Sequence, residues 1–341
     1  MIRKTLADLR ACKDRILSAQ SRDGLHWKRN AGVRIDVRRT APFDDEMVYG
    51  CCVTKDKGAR YRMLYQASRL VGGIWQSRIR AATSLDAMDW VGTADTGIQA
   101  GSNTLCRLRV QSPFIPEFDA GLLFFAGTAD DRTSRILSAR TLDGRNWAID
   151  DRPILAPEDC IRPDGRKVSG ICDPSVTRRP DGRYQMFFSA TLEDDFNQSI
   201  MSATSPDLAN WVVAAADPIP QRFDVINNPT ILRDGHGLRM WFRCSNRFPL
   251  ESNIYIASSN NGREWSEPQR CLSFSRFRLR ERHGVGFPFV MQDGQILRMY
   301  YTGYWGNIFE GQTARTYASI HEKRKRLGAR PASRTTASSS D

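Results

Sequence analysis

The sequence predicts an all-β protein: a five-bladed β-propeller of four-stranded antiparallel blades, the last blade closed by both termini. Three observations predict it. A Ser/Thr–turn–Trp pattern recurs five times, an alternating strand precedes each copy, and a second pair of apolar strands also recurs five times.

The copies of the first pattern are SRDGLHW (21–27), SLDAMDW (84–90), TLDGRNW (141–147), SPDLANW (205–211) and SNNGREW (259–265). Their tryptophans, Trp27, Trp90, Trp147, Trp211 and Trp265, are separated by 63, 57, 64 and 54 residues. Before each copy runs an alternating strand ending in small residues: ILSAQS, RIRAATS, ILSART, IMSATS and IYIASS. Asp-Gly and its relatives predict a tight hairpin turn. The tryptophan is expected to open the next strand and fill the gap between neighbouring sheets.

The second pattern is a short apolar strand, a turn, and a strand with paired aromatic or apolar residues. Its instances are GCCV…YRMLYQAS, SPFI…GLLFFAGT, DPSV…RYQMFFSA, NPTI…LRMWFRCS and FPFV…LRMYYTGY. Proline in four of the first strands fits a strand that starts near a crowded axis, before ladder bonding is established. Each unit thus carries four strands over roughly 50–60 residues, a long propeller blade. The chain opens with third- and fourth-type strands (15–36) and closes with first- and second-type strands (284–304), so the termini share the last blade. ARTYASI (314–320) competes for the third-strand slot, and residues 4–14 offer a short helix instead.

A chain of 341 residues with 40% hydrophobic and 26% charged residues is globular. No apolar run is long enough to span a membrane, and the N-terminus lacks the apolar stretch of a secretory signal, so a cytoplasmic location is expected. The eight cysteines form no C-x-x-C pair and no Cys/His spacing suited to zinc, which predicts free, mostly buried thiols. The formal charge is +12, and residues 321–341 carry six basic against two acidic residues. One propeller domain is therefore expected over 1–320, followed by a basic, Ser/Thr-rich disordered tail over 321–341. Nucleic-acid contact is expected at most from that tail. The basic body points to an anionic small molecule.

These repeats, such as DPSV…DGRYQMFFSA…IMSATS…W, resemble the five-bladed β-propeller glycoside hydrolases of families 32, 43, 68 and 130 and their relatives, across nearly the whole chain. The resemblance implies work on a glycosidic bond at one end of the central channel, with carboxylates projecting from the first strands. Two carboxyl groups are usual, one as acid and the other as base or nucleophile. In fructosidase-like members the motifs are Asn-Asp-Pro, Arg-Asp-Pro and Glu-Cys-Pro. Cys172-Asp173-Pro174 matches the second, which implies a transition-state-stabilising role for Asp173. Gln111-Ser112-Pro113 and Asn227-Asn228-Pro229 then fall on the other two, so the usual base and acid read Ser112 and Asn227. The other register offers Asn228 and Phe287. The standard acid triad is absent in both.

Asp173 is the one acid among five equivalent positions, Gly50, Ser112, Asp173, Asn228 and Phe287, and its role stands open between catalytic and structural. Asp224 and Glu46 are the candidate partner carboxylates, since each lies four residues before the position that Asp173 occupies. His283 occupies the same offset, and Asp45 and Glu193 lie in loops at that end. Arg243 stands where four other second strands carry Gln66, Ala126, Ser189 and Thr302. An arginine there is costly unless it meets an anion or a carboxylate. With Arg282 and His283 it suggests a pocket for a phosphate or carboxylate; an ion pair to Asp173 or Asp224 is the alternative. Trp305 is a candidate platform for a sugar face.

The expected function is cleavage or transfer of a glycosidic bond, on an anionic or phosphorylated sugar held in the axial pocket. The alternative is a repurposed propeller that binds a ligand or serves a biosynthetic step on a non-sugar substrate. A protein-interaction scaffold is a third reading. No cofactor, metal or membrane partner is expected.

Overall fold

Period-two alternation rich in β-branched and aromatic residues gives twenty strands among the described residues. The structure, a computed structural model, describes residues 14–37, 47–56, 58–71, 74–193, 197–235, 237–246 and 251–304. All lie in one unit, Lys13–Trp305. The competing segment 314–320, the helix offered for 4–14 and the basic tail lie outside the described residues.

The chain opens with β1 (Arg15–Ser21) and β2 (Lys28–Arg29). Blade one follows as β3 (Met47–Lys55), β4 (Tyr61–Val71), β5 (Ile74–Ser84) and β6 (Val91–Gln99). Blade two is β7 (Arg109–Phe114), β8 (Leu122–Thr128), β9 (Ser134–Arg140) and β10 (Ala148–Ile149). Blade three is β11 (Val168–Arg178), β12 (Tyr184–Leu192), β13 (Gln198–Ser205) and β14 (Val212–Val213). Blade four is β15 (Val225–Asp234), β16 (Gly237–Ser245), β17 (Ser252–Ser259) and β18 (Gln269–Leu272). Blade five begins with β19 (Gly284–Asp293) and β20 (Ile296–Tyr304) and is completed by β1 and β2, in the order β19-β20-β1-β2. The first strand of the chain pairs with the last, Arg15 opposite Gly303 through Ser21 opposite Leu297. The expected closure by both termini is present, and β1 fills the third-strand slot.

The five Ser/Thr-turn-Trp segments are wider than the tight hairpins expected of them. In SLDAMDW, the Ser84 hydroxyl accepts the Asp86 N–H, while Asp86 Oδ1 accepts the N–H groups of Met88 and Asp89 at 2.8 Å each. Asp23, Asp143, Asp207 and Asn261 cap their own loops through the same two N–H groups. The next residue is left-handed in every copy: Gly24, Ala87, Gly144, Leu208 and Gly262. Side-chain capping of backbone donors replaces the two-residue turn.

Four of the tryptophans stand directly before the fourth strand and Trp265 four residues ahead of it, none opening it, and each reaches the second strand of the preceding blade. Trp27 meets Trp241 edge-on at 6.3 Å, Trp90 meets Tyr300 at 5.8 Å, Trp211 meets Phe124 at 6.4 Å and Trp265 meets Phe187 at 5.4 Å. Trp147 lies beneath the Arg62 guanidinium, 5.9 Å from the ring centroid. Blades five, one, three, four and two are thereby joined to four, five, two, three and one, which closes the ring. These T-shaped pairs add roughly 0.5–1.5 kcal/mol each beyond their burial.

The seven described cysteines are free; Cys51, Cys52, Cys106, Cys160 and Cys244 are buried. No helix among the described residues is long and apolar enough to cross a membrane.

Candidate functional site

The inner strands β3, β7, β11, β15 and β19 share one register break: between Tyr49 and Cys51, Gln111 and Phe114, Cys172 and Ser175, Asn227 and Thr230, Gly286 and Phe289; β11 has a second between Val168 and Gly170. At each shared break sits one of the five equivalent residues, with a left-handed backbone. The φ angles are 53° at Gly50, 55° at Ser112, 56° at Asp173, 53° at Asn228 and 48° at Phe287. Proline follows in four cases, so it lies inside the strand at a bulge, not at the strand start as expected. A bulge leaves the ladder unpaired at that point, which is where a residue without an N–H is tolerated. The bulge also turns one side chain per blade towards the axis. Because the fold demands this backbone of all five, left-handed strain at Asp173 is no mark of catalysis by itself.

The five residues and their neighbours line an axial cavity of about 40 Å3, walled also by Pro113, Phe114, Pro174, Thr230 and Phe289. That is room for roughly three or four waters at ~10–15 Å3 each, and far too little for a sugar ring.

Asp173 is 8% exposed, and four donors meet its carboxylate. Ser112 Oγ donates to Oδ1. Ser189 Oγ donates to Oδ2 at 2.7 Å, Asn228 Nδ2 at 2.8 Å and Cys172 Sγ at 3.3 Å. Burial and the adjacent Asp173 carboxylate push the Cys172 thiol well up. The acceptor positions of Asp173 are largely filled. To bond a substrate group directly, it must release one of these donors. The arrangement suits a fixed negative charge better than a mobile base.

A second regularity surrounds this ring. The second-strand residue opposite the bulge ties the next blade by accepting its axial N–H. Gln66 accepts from Ser112 N–H at 3.3 Å, Ser189 from Asn228 N–H at 2.9 Å, and Thr302 from Gly50 N–H at 3.4 Å. Ala126 and Arg243 occupy the other two positions and have no acceptor to offer.

Arg243 instead extends along the seam between blades four and five. Its guanidinium lies over the Tyr304 ring, 5.6 Å from the centroid, and Nη2 donates to Ser245 Oγ at 3.4 Å. Gly286 makes room: a Cβ there would lie 2.4 Å from Tyr304 Oη and 2.8 Å from Arg243 Cδ. Arg243 Nε, Tyr304 Oη and Asn227 Oδ1 are all buried without a hydrogen-bond partner among the described residues. Such atoms cost ~1–3 kcal/mol each unless water or a ligand meets them. Burial pushes the Tyr304 phenol up, so it is a donor at neutral pH. The alternative weighed for Arg243, an ion pair to Asp173 or Asp224, is not formed among the described residues.

The remaining candidates are dispersed. Asp224 is exposed on the residue before β15, where its carbonyl accepts the Gln198 N–H at 3.1 Å, and it is not among the groups bonded to Asp173. Glu193 is exposed beyond β12. His283 is half-buried, its N–H bonded to the Tyr304 carbonyl at 3.2 Å. Burial and Arg282 hold its imidazole below the usual pKa. Arg282 is exposed. Glu46, Asp45 and Trp305 lie outside the described residues.

Sequence reading did not pick out Ser189, Tyr304 as a donor, or Asn228 as a partner of Asp173. Ser189 had one available signal, a polar side chain on a second strand that is otherwise apolar around it. Among the described residues no group of three or more His, Cys, Asp or Glu side chains is arranged to hold a metal ion.

No family model and no curated protein matches the chain. Solved structures do. The chain is similar to a glycoside hydrolase at TM-score 0.62 and 13% identity, over 90% of this chain and 95% of the other. It is similar to a thermostable family-43 glycoside hydrolase at TM-score 0.57 and 11% identity, over 75% and 88% of the two chains. A third is described within the GH130 family of mannoside phosphorylases, as glycoside hydrolases that target β-1,2 mannosidic linkages in Candida mannan. It matches at TM-score 0.53 and 17% identity, over 74% and 83% of the two chains. At these identities the likeness establishes the glycoside hydrolase-like propeller fold, and fold alone does not assign a reaction.

Proposed function

We propose that this protein is a carbohydrate-active enzyme that cleaves or transfers a glycosidic bond of an anionic or phosphorylated sugar, bound above Asp173. The observation that carries this reading is a set of unmet polar atoms on the blade four–five seam. Arg243 Nε and Tyr304 Oη are buried donors without a partner among the described residues, on the seam next to Asp173, whose carboxylate is fixed by four donors. Two such donors suit an oxyanion on the sugar. Asp173 then supplies negative charge beneath the sugar ring, where an oxocarbenium-like transition state gathers positive charge. Asp224 or Glu46 is the partner acid in this reading, with His283, Arg282, Asp45, Glu193 and Trp305 around the substrate.

The test is turnover of aryl glycosides and sugar phosphates, with and without inorganic phosphate. Asp173→Asn keeps the size and should lower kcat by on the order of 100-fold or more, the usual cost of losing an electrostatic stabiliser. Wild-type rates from Asp173→Asn on every active substrate would show that Asp173 has no catalytic role.

A specific observation also favours the binding-only alternative. Among the described residues, no second carboxylate lines the axial cavity or bonds to Asp173. Sugar-phosphate binding by calorimetry without turnover would select that reading.

A further inference from the structure

The connection from β18 to β19 reads Ser273-Phe-Ser-Arg-Phe-Arg-Leu-Arg-Glu-Arg-His283, an alternation of arginines with two large apolar residues. Phe277 is 99% exposed and Leu279 65% exposed, while Arg276, Arg278, Arg280 and Arg282 are exposed as well. Burying either apolar side chain is worth ~1.5–3 kcal/mol, so leaving both in water is a standing cost.

The segment is built rather than slack. Arg278 N–H bonds Ser275 O at 3.0 Å, Glu281 N–H bonds Arg278 O at 2.9 Å, and Gly284 N–H bonds Glu281 O at 3.1 Å. Glu281, 3% exposed, accepts Arg29 Nε at 2.9 Å and the Tyr301 hydroxyl at 2.7 Å. Arg29 also donates to Ser273 O. The loop's one carboxylate is thus turned inward and spent on an anchor. Outward it presents four guanidinium groups, of which Arg276 is paired with Glu251 at 2.5 Å. The loop ends at the residue that starts β19, at the channel end of the ring.

We infer that residues 275–280 dock this face of the protein on an anionic bilayer surface, Phe277 and Leu279 entering the headgroup–acyl boundary and the arginines meeting lipid phosphates. Arginines flanking exposed apolar residues are the chemistry of interfacial attachment, which needs no membrane-spanning segment. The sequence expectation of no membrane partner rested on the lack of such a segment. A bilayer fits better than a soluble polyanion because Leu279 has no π face with which to stack on a base or sugar. The attachment would present the channel mouth to the membrane, and it is independent of what the channel binds.

The test is co-sedimentation of the full chain with vesicles of phosphatidylglycerol and phosphatidylcholine, against phosphatidylcholine alone. The double variants Phe277→Ser/Leu279→Ser and Arg278→Gln/Arg280→Gln are made in parallel. All four positions are exposed, and thermal unfolding of each variant checks that it is folded. Wild type should bind the anionic vesicles and not the neutral ones. The serine pair should weaken binding on the order of tenfold or more. The glutamine pair should weaken it by roughly fivefold per arginine. Three results overturn the proposal. Wild type does not bind anionic vesicles, or both variants bind as wild type does, which would put binding on the basic tail. Alternatively, a soluble anionic oligosaccharide or oligonucleotide competes fully with the vesicles.

Discussion

Ser189→Ala tests whether the blade seams are held as the structure shows. Ser189 is 1% exposed, and its hydroxyl does two things at once: it donates to Asp173 Oδ2 at 2.7 Å and accepts Asn228 N–H at 2.9 Å. Alanine removes both and leaves a buried N–H without an acceptor. That orphan costs ~1–3 kcal/mol and the lost donor bond ~1 kcal/mol, for a total of about 2–4 kcal/mol. For a chain of this size the melting temperature should fall by roughly 3–6 °C. Urea denaturation followed by tryptophan fluorescence reads the free energy directly, with an unchanged m-value showing that the same surface unfolds. Ala126 supplies a natural comparison, since blade two carries alanine at this position, where the next axial N–H has no such tie. A Ser189→Ala change below about 0.5 kcal/mol, the range of a surface substitution, would refute the seam role.

Two further outcomes follow from the loops and the thiols. Backbone N–H groups hold the Asp86 carboxyl down at about 2, below its ordinary value of 3.8. Its contribution to stability is therefore present above pH ~4 and lost as pH falls towards ~2. Asp86→Asn should keep the loop, as Asn261 does naturally, and flatten that acid loss, while Asp86→Ala should destabilise at all pH values. Melting curves between pH 2 and 6 compare the three, and equal acid slopes for wild type and Asp86→Asn would contradict the assignment. Burial pushes the Cys52 thiol up to about 12, Cys160 to about 12 and Cys51 well above its ordinary value. These three should resist a thiol reagent at pH 7.5 until the protein is unfolded; fast labelling at Cys51 or Cys52 in the native state, read by mass spectrometry, would show an opening that the fold does not predict.

Features carried by neighbouring residues were legible in the sequence. The five Ser/Thr-x-Asp/Asn loops announce the blades because capping of their own N–H groups is a local interaction. The strand types at the two ends announce the closure, confirmed by β1 pairing with β20. The role of the tryptophans as inter-blade fillers was equally readable, because a large apolar ring after a turn must bury somewhere. Even the oddness of Asp173 and Arg243 could be seen, by setting each against its four equivalents.

What those two residues touch could not be read, because their surroundings are assembled only when the ring closes. Three of the four donors on Asp173 come from positions 61, 16 and 55 residues away, on blades two, three and four. Sequence pairing suggested carboxylates for Arg243, but the closed ring set it over Tyr304 and against Gly286, which belong to the next blade. A repeat determines which backbone positions are equivalent and therefore point at the axis. Only packing of one blade on the next decides which side chains meet there, since that depends on distances across a seam that local patterning does not encode.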